Sequence, residues 1–417
     1  MTCSEYLWNF GFCILSPIII VYRSLGSICI RKKYVKIKDS IETQLSRNYD
    51  DLGGYNAGRC QYDNVWTRDT FFAFFNPHVQ LRFKMKFVDR LRENMKANGQ
   101  VPFTFWSTYY IPAILCGCTI KRSKPTPAFC DEKLGSTVLD ANSQYIILVH
   151  DVYNNITDDY EKKRWLIKHE ANLDKAIGFL DSHVNSKGLI EESPFANWED
   201  SLMLRGAVPY TNLLWIEASK RFVDLQTNED ISLKNIDFEA RKNRVFKFLQ
   251  DLDNPDTVTT SLCVLWFPEE KVTNMLFTLL YNKFGKRKEF GIPNRLKILP
   301  KNMVFYPLRV IGQGKYHNGW VWSWVGLLWT VALYKKGKTD EARVVFDMFK
   351  CSVNTYGTIF EVYDRRGIPI NKVLYKSESS FSEGLGMYLY AEHIIGPAPW
   401  LVHLRSAISN STKELNE

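Results

Sequence analysis

Two adjacent carboxylates beside an aromatic ring are the first feature of this sequence that could do chemistry. Trp198 is followed directly by Glu199 and Asp200, within the stretch Asn197–Ala218. A tryptophan ring can stack on the face of a sugar, while a neighbouring carboxyl group can give or take a proton at the bond to be broken. The stretch therefore predicts a sugar site. The alternative is that both acids only charge the start of the next helix, where the helix dipole favours negative groups.

A turn and an apolar helix must position this acidic pair. Gly206 and Pro209 mark the turn, and after it Leu214, Ala218 and Phe222 recur at helical spacing. The pair is therefore expected in a loop that leads into a helix. Loop residues at the mouth of a rigid scaffold commonly carry function.

Two earlier stretches place polar groups at predicted helix starts. Trp66, Arg68 and Asp69 directly precede an apolar helix. Asp69 could accept two sugar hydroxyls while Arg68 fixes its orientation, whereas an ordinary ion pair at a helix start is the alternative. Asp140 begins another predicted helix, where capping of the helix is the alternative role.

Two late stretches also stand out. The segment Tyr316–Trp329 contains four tryptophans within ten residues and runs into a helix, Val325–Leu333, that is apolar on nearly every face. A helix of this kind belongs in a protein interior. Further on, Glu361 and Asp364 lie in a short apolar stretch that ends in a turn. For these two acids a position in a surface turn is the alternative.

The remaining chain repeats a helical period with few strand signals. Apolar residues follow this period near residues 81–88, 145–152, 173–180, 245–252, 276–280 and 342–349. Turn residues separate the helices, and no low-complexity linker divides the chain. The sequence therefore predicts an all-α protein built from helical hairpins stacked around one core.

Composition narrows the class of protein. The chain has 417 residues, 45% hydrophobic and 14% aromatic, enough for a large packed core. The net charge of +9 is spread along the chain without a long basic run, so we expect no nucleic-acid partner. Nine cysteines lack metal-ligand spacing, since Cys116 and Cys118 are too close for a zinc knuckle, and no metal site is expected.

The N-terminus allows two interpretations. Leu7–Tyr22 is nearly continuous apolar sequence, and a second patch reaches Ile30 before three basic residues. A membrane helix needs about 20 apolar residues, so the run is short for a span. Residues 7–30 could be a membrane anchor with a cytoplasmic basic flank, or the first core helix. We expect a segment 1–33 ahead of one domain, 34–417, in a protein that is cytoplasmic or anchored to a membrane.

Taken in chain order, these stretches resemble the six-hairpin glycosidases, above all the α-1,6-glucosidase domain of glycogen debranching enzymes and the neutral invertases, and more distantly the glucoamylases. Trp66–Ala73 looks like the debranching-type Trp-Gly-Arg-Asp-Thr motif, and Tyr62-Asp63 is similar to the invertase version. Leu139–Leu148 resembles the family's Val-Asp-Ser element and the helix after it. Leu189–Ser201 looks like its Gly-Leu-Ile, linker and Trp-x-Asp element.

Two later motifs complete the resemblance, which spans roughly residues 54–391. Tyr316–Gly319 with Trp322 is similar to the invertase Tyr-His-Asn-Gly-Gly-Ser-Trp-Pro signature, and Glu361–Asp364 followed by Gly367 matches a Glu-x-Tyr/Phe-Asp-x-x-Gly element. The resemblance implies an (α/α)6 barrel with a pocket at one end of its inner helices. It also implies an inverting mechanism, no cofactor and a carbohydrate substrate.

The resemblance assigns roles by position. Asp200 matches the general acid and Glu361 the general base, which in an inverting enzyme stand about 6.5–9.5 Å apart so that a water fits behind the anomeric carbon. The acid needs a raised pKa, which an apolar wall such as Trp198 could supply by desolvation. The residues expected to hold substrate are Trp66, Arg68, Asp69, Asp140, Trp198, Glu199, His317, Asn318 and Trp322.

Departures from the family pattern leave alternatives open. A glucoamylase-like alignment puts the acid on Glu199 in place of Asp200. Trp320–Ser323 replaces Gly-Ser-Trp-Pro, which could narrow the pocket. Phe381-Ser382-Glu383 differs from the family's Trp-Ser followed by an apolar residue, so Glu378 and Glu383 are alternative bases.

Three functions follow from these expectations. The first is an inverting glycoside hydrolase that acts on an α-glucosidic bond of an oligosaccharide or glycan. The second is a sucrose-hydrolysing invertase. The third is a glycan-binding protein on the same fold without catalytic activity.

Overall fold

A computed structural model describes residues 36–59, 62–109, 120–131, 133–227, 231–285, 289–310, 312–372 and 375–396. The apolar segment 7–30, the predicted domain boundary at residues 33 and 34, and Cys116 and Cys118 lie outside these residues. Within the described ranges, no helix combines the length and apolar character needed to cross a membrane. The predicted membrane anchoring is therefore corrected to this extent: no helix among the described residues supports it.

Helices make up most of the described chain. Numbered in chain order, they are α1 (Ile41–Asn48), α2 (Thr67–Ala73), α3 (Leu81–Glu93), α4 (Asp140–Asn155), α5 (Asp159–Asp181), α6 (Pro209–Gln226), α7 (Phe238–Gln250), α8 (Thr257–Trp266), α9 (Lys271–Leu280), α10 (Tyr306–Val310), α11 (Ser323–Lys335), α12 (Thr339–Tyr356) and α13 (Ser382–Ile395). The strands are β1 (Val65–Trp66), β2 (Thr104–Tyr109), β3 (Ile120–Ala128), β4 (Glu191–Glu192), β5 (Gly206–Ala207), β6 (Val321–Trp322), β7 (Val362–Tyr363), β8 (Asn371–Lys372) and β9 (Tyr375–Lys376).

Six helices close into an inner ring. Around the ring, α2 contacts α4, and contacts continue through α6, α8, α11 and α13 back to α2. The helices α3, α5, α7, α9 and α12 pack outside, each against an inner helix next to it along the chain, and α1 packs outside against the last inner helix, α13. The ring confirms the predicted all-α (α/α)6 architecture.

Burial separates the two layers. Every residue of α11 from Ser323 to Leu333 is buried, as its apolar sequence predicts for an inner helix. The outer helix α5 buries only one stripe, which includes Trp165, Leu173 and Leu180. The stripe faces the ring, and the polar remainder faces solvent.

Local sequence sets where several helices begin and end. Asp158, Asp237 and Asp256 each precede a helix, and each side chain accepts a hydrogen bond from the backbone N–H three residues on. An aspartate in this position satisfies an amide that the helix itself leaves unpaired. At the other end of α12, Gly357 adopts φ +74°, a conformation that glycine adopts without strain.

Alternation of outer and inner helices explains where a site can form. Because each outer helix returns the chain to the same end, all six inner helices run in one direction, and the loops leading into them open together. Short antiparallel strands brace these loops: β1 with β2 and β3, β4 with β5, β6 with β7, and β8 with β9. The β2–β3 hairpin was not predicted, although the aromatic and threonine content of Thr104–Tyr109 favours a strand.

Candidate active site

A cavity of about 480 Å³, including its mouth, opens where the loops meet the N-termini of the inner helices. Its walls come from the starts of α2, α11 and α13 and from the loops before α6, α11 and β7. The predicted site residues that line it are Trp66, Arg68, Asp69, Trp198, Asp200, His317, Trp322 and Glu361. Residues far apart in the sequence therefore meet at one end of the ring.

Asp200 is the carboxylate of the acidic pair that faces this cavity. Lys133 Nζ lies 3.0 Å from Asp200 Oδ2, and His317 Nδ1 lies 3.9 Å from its Oδ1. Burial alone would raise the pKa of Asp200, but the ammonium of Lys133 outweighs burial and holds the pKa below its usual value. This differs from the raised pKa expected of a general acid, because the buried ammonium of Lys133 was not part of the sequence prediction.

Glu361 lies directly before β7 and carries its own set of hydrogen bonds. The hydroxyl of Tyr316 donates to Oε1, and the hydroxyl of Tyr375 donates to Oε2 at 2.6 Å. Burial raises the pKa of Glu361 to about 7 against the opposing effect of these donors. Both oxygens are thus fixed in direction.

The second member of the acidic pair, Glu199, does not line the cavity. It is buried in a two-pronged ion pair with Arg295, whose Nε lies 3.1 Å from Oε1. Burial raises the pKa of Glu199 to about 7, while Arg295 opposes the shift. Its position does not support the predicted contact with substrate, because its carboxylate is already occupied, and Asp200 is the acid that reaches the cavity.

The turn that presents Trp198 and Asp200 is fixed from beneath by buried hydrogen bonds. Asn197 donates from Nδ2 to Glu192 Oε1 and accepts at Oδ1 from the backbone N–H of Glu199 at 2.7 Å. Thr211 on α6 donates to the other Glu192 oxygen. The turn and the helix it leads into therefore share one polar anchor.

Arg68 and Asp69 have different partners from those predicted. Arg68 pairs with Asp140, Nε to Oδ2 at 2.7 Å, and not with Asp69. Burial raises the pKa of Asp69 to about 7, with Glu361 adding to the shift and Arg68 opposing it. Asp140 does not line the cavity, and its role there is to hold Arg68 in place.

The alternative bases occupy different places. Glu383, at the start of α13, lines the cavity, and burial followed by the charge of Asp69 raises its pKa well above the usual value. Glu378 lies behind the cavity wall, where its Oε1 accepts from the backbone N–H of Arg59 at 3.2 Å. Of the two, only Glu383 is positioned to meet a ligand.

Of the predicted residues His317, Asn318 and Trp322, the first and last line the cavity and Asn318 does not. The ring of His317 stacks on Trp322 with centroids 4.6 Å apart, and burial lowers the pKa of His317 to about 3, so the imidazole is neutral. Asn318 lies outside the cavity and instead holds the backbone of Leu299, donating to its carbonyl at 2.9 Å and accepting from its N–H at 2.8 Å. Asn318 therefore shapes the site and does not line it.

Several polar atoms at the cavity lack partners. Among the residues that the structure describes, buried polar atoms of five cavity residues have no hydrogen bond, namely Nε1 of Trp66, Trp198 and Trp324, Nε2 of His317 and Oε1 of Glu383. A buried polar atom without a partner costs about 1–3 kcal/mol. Because these atoms belong to residues that line the cavity, the wall has hydrogen-bonding groups left for a polar ligand.

Two residues near the cavity have a strained backbone conformation. Phe195 and Ser380 are the non-glycine residues with positive φ in the described chain, at +69° and +54°. Phe195 lies five residues before Asp200, and Ser380 precedes the cavity residue Phe381. Such conformations cost about 1–3 kcal/mol and tend to occur at functional sites.

Sequence reasoning missed several cavity residues. Tyr62, Tyr316 and Trp324 line the cavity and stand in stretches already singled out, so their neighbours were the available signal. Lys133 gave no signal, because a lysine in a polar turn usually faces solvent.

A second cavity of about 760 Å³ involves the other ends of α2, α4 and α6. Its charged side chains are already paired, Lys84 with Asp151 at 2.7 Å and Arg221 with Glu217 at 2.6 Å. The first cavity is therefore the better candidate for chemistry.

Comparisons with known proteins find the same fold in solved structures. No protein-family model matches the sequence. No curated protein matches it either. Solved structures do match: GH63 mannosylglycerate hydrolase from Thermus thermophilus, in complex with glucose, has a TM-score of 0.61 and 14% identity over 84% of this chain and 98% of that chain.

Two further structures give similar values. A glycosidase variant in complex with glucose has a TM-score of 0.55 and 13% identity, covering 91% of this chain and 98% of that one. An uncharacterized conserved protein from Thermus thermophilus has a TM-score of 0.58 and 13% identity over 84% and 98%. These similarities confirm the six-hairpin fold. The closer resemblance to debranching enzymes and neutral invertases stays a prediction.

Proposed function

We propose that this protein is a glycoside hydrolase whose reaction takes place in the cavity at the N-termini of the inner helices. The observation that carries the proposal is that Asp200 and Glu361 line one aromatic-walled cavity whose residues include buried polar atoms without partners. Aromatic faces and unpaired polar groups suit a sugar, which is apolar on its ring faces and rich in hydroxyls. The glycosidases among the structural neighbours support the same class of reaction.

In the proposed mechanism, Asp200 is the general acid and Glu361 the general base. Asp200 gives its proton to the glycosidic oxygen as the bond from that oxygen to the anomeric carbon breaks. A water attacks the anomeric carbon from the opposite face, and Glu361 takes the proton that this water releases. The two products are a free alcohol and a sugar of inverted configuration. The hydrogen bonds from Tyr316 and Tyr375 would keep Glu361 aimed at the water.

The other cavity residues would hold the sugar. Trp66, Trp198 and Trp322 offer ring faces or indole N–H groups, and Asp69, kept in place beside the Arg68–Asp140 pair, would bind hydroxyls. We propose an α-glucosidic bond as the substrate bond. The sequence motifs support this choice, and two structural neighbours were solved in complex with glucose.

A panel of α-glucosides, α-mannosides, sucrose and trehalose tests the proposal. We expect turnover of at least one α-glucoside, with kcat reduced about 10³-fold or more in Asp200→Asn and in Glu361→Gln. The matched controls Asp253→Asn and Glu239→Gln change exposed acids and should retain activity. The anomer released first, measured by NMR, should have inverted configuration. Turnover that survives both active-site substitutions would refute the assignment of residues.

A non-catalytic glycan-binding protein is the second candidate, and one observation favours it. The ion pair with Lys133 keeps Asp200 ionised, whereas a general acid must be protonated before it acts. Glucose binding by calorimetry without turnover of any glycoside in the panel would support this candidate over the hydrolase.

A further inference from the structure

A basic and partly apolar surface adjoins the Asp200 side of the cavity. We call residues 201–205 and 298–310 the basic lip. The two segments pair with each other: the backbone N–H of Met203 donates to the Met303 carbonyl at 2.7 Å, and that of Phe305 donates to the Ser201 carbonyl at 2.9 Å. Ser201 directly follows Asp200. The basic lip is therefore held at a fixed place next to this carboxylate.

The other side of the basic lip is tied to the cavity wall. Asn318 binds both backbone groups of Leu299, and it follows His317, which lines the cavity. His317 in turn contacts the hydroxyl of Ser201, Nδ1 to Oγ at 2.7 Å. The basic lip is thus bonded to the cavity wall through His317 and the neighbouring Asn318.

The charge of the basic lip has one sign. It contains Arg205, Lys301 and Arg309 and no acidic residue. All three side chains are exposed, and among the described residues none of them pairs with a carboxylate. Arg309 instead lies over the ring of Tyr306 at 5.0 Å. Three cations without counter-charges attract an anion.

Exposed apolar side chains accompany these cations. Tyr306 and Val310 stand one turn apart on α10 and are 66% and 65% exposed, and Ile298 is 62% exposed. Large apolar side chains grouped on a surface commonly mark a place where a ligand binds. The chemistry of the basic lip therefore fits a ligand with an apolar body beside a negative charge.

We propose that the basic lip binds the aglycone of the substrate, and that this aglycone carries a negative charge next to an apolar or aromatic group. The inference rests on the proposed function, in which Asp200 protonates the oxygen of the leaving group. The leaving group must then lie on the Asp200 side of the cavity, where the basic lip joins the wall through Ser201. On this inference the substrates are glycosides whose aglycone is a small molecule with a negative charge.

A matched pair of substrates tests this inference. The α-glucosides of 4-(carboxymethyl)phenol and 4-(carbamoylmethyl)phenol differ in charge but have nearly equal leaving groups, because a methylene separates the charge from the ring. We expect kcat/KM to be about ten-fold higher for the carboxylate at low salt, since three exposed ion pairs contribute. The ratio should fall towards one in about 0.5 M salt.

A triple variant and its control locate the effect. In Arg205→Gln, Lys301→Gln, Arg309→Gln the ratio of the two kcat/KM values should fall to about one. The control Lys175→Gln, Lys187→Gln, Lys247→Gln removes the same charge from exposed sites elsewhere and should keep the ratio. Equal kcat/KM for both glucosides in the unmodified protein, or a ratio that survives in the triple variant, would overturn the inference.

Calorimetric titration separates this inference from the proposed function. If the carboxylate glucoside binds more tightly and this advantage is lost in the triple variant, the basic lip is supported as its binding site, even if neither glucoside is hydrolysed. A lack of hydrolysis would then refute the proposed function and leave the inference about the basic lip standing. Equal affinity for both glucosides would overturn the inference whether or not they are hydrolysed.

Discussion

Replacing Lys133 with methionine should change the pH dependence of catalysis in a definite direction. Lys133 Nζ lies 3.0 Å from Asp200 Oδ2, and the two side chains are 6% and 32% exposed. At this distance the attraction is about 1.4 kcal/mol in a water-like medium and about 5.5 kcal/mol at an effective dielectric constant of about 20. Since the pair is partly buried, its loss should raise the pKa of Asp200 by at least about one unit.

The two carboxyl groups titrate in an unusual order. Burial raises the pKa of Glu361 to about 7, whereas Lys133 holds that of Asp200 below its usual value. The proposed mechanism needs Asp200 protonated and Glu361 ionised, which is the opposite of the order in which the two groups lose their protons. Between the two pKa values, therefore, only a minor fraction of the protein is in the productive state. Activity falls below the lower pKa, where both groups are protonated, and above the higher one, where both are ionised.

The acidic limb of the pH profile therefore reports on Asp200. In Lys133→Met this limb of kcat/KM should move to higher pH by at least about one unit, while the basic limb stays near pH 7. The assay is the initial rate on the best α-glucoside from pH 3 to 9. Lys133→Arg retains a cation and should keep the limb of the unmodified protein. An acidic limb unchanged by Lys133→Met would refute the argument that this ion pair sets the protonation of Asp200.

Further predictions concern stability. Phe72→Ala empties a fully buried position against Trp324 and should lower the free energy of unfolding in urea by about 3–5 kcal/mol, while Tyr160→Ala, at a side chain 68% exposed, should change it by less than about 0.5 kcal/mol. Gly337 and Gly357 both have φ near +70°, but an added Cβ meets open space at Gly337 and lies 1.8 Å from the Ile37 carbonyl oxygen at Gly357. Gly337→Ala should therefore cost about 1–2 kcal/mol and Gly357→Ala clearly more; equal losses would contradict the clash. Burial raises the pKa of Glu383, so the unfolded chain ionises this group at lower pH than the folded protein does, and stability is lost as pH rises. Replacing it by glutamine should make the fall in Tm between pH 5 and 8 smaller, as measured by thermal unfolding.

Much of the all-helical fold could be predicted because helical periodicity marks the outer helices and continuous apolar sequence marks some of the inner ones. A segment such as Val325–Leu333, apolar on all sides, has few stable places other than an interior. Because the helices come in outer and inner pairs, the loops that lead into the inner helices could be expected at the same end of the ring. The β2–β3 strand pair was not predicted, because helical periodicity carries no information about short strands.

The site was predictable in its residue types but not in its contacts. Adjacent Glu199 and Asp200 could not be told apart, because their environments depend on Arg295 and Lys133, which are distant along the chain. Asn318 shares a motif with His317 yet holds a backbone segment. Such choices are made by tertiary packing, which a local pattern does not encode.

The closed ring also sets the order in which the protein can become functional during synthesis. The first hairpin supplies Asp69 and the last supplies Glu383, and the ring is sealed only when α13 packs between α11 and α2. Until the ribosome has released residues 382–395, the growing chain has an open seam and an incomplete set of carboxylates. Until α13 is in place the cavity is incomplete, and the faces of both α2 and α11 that α13 covers stay exposed.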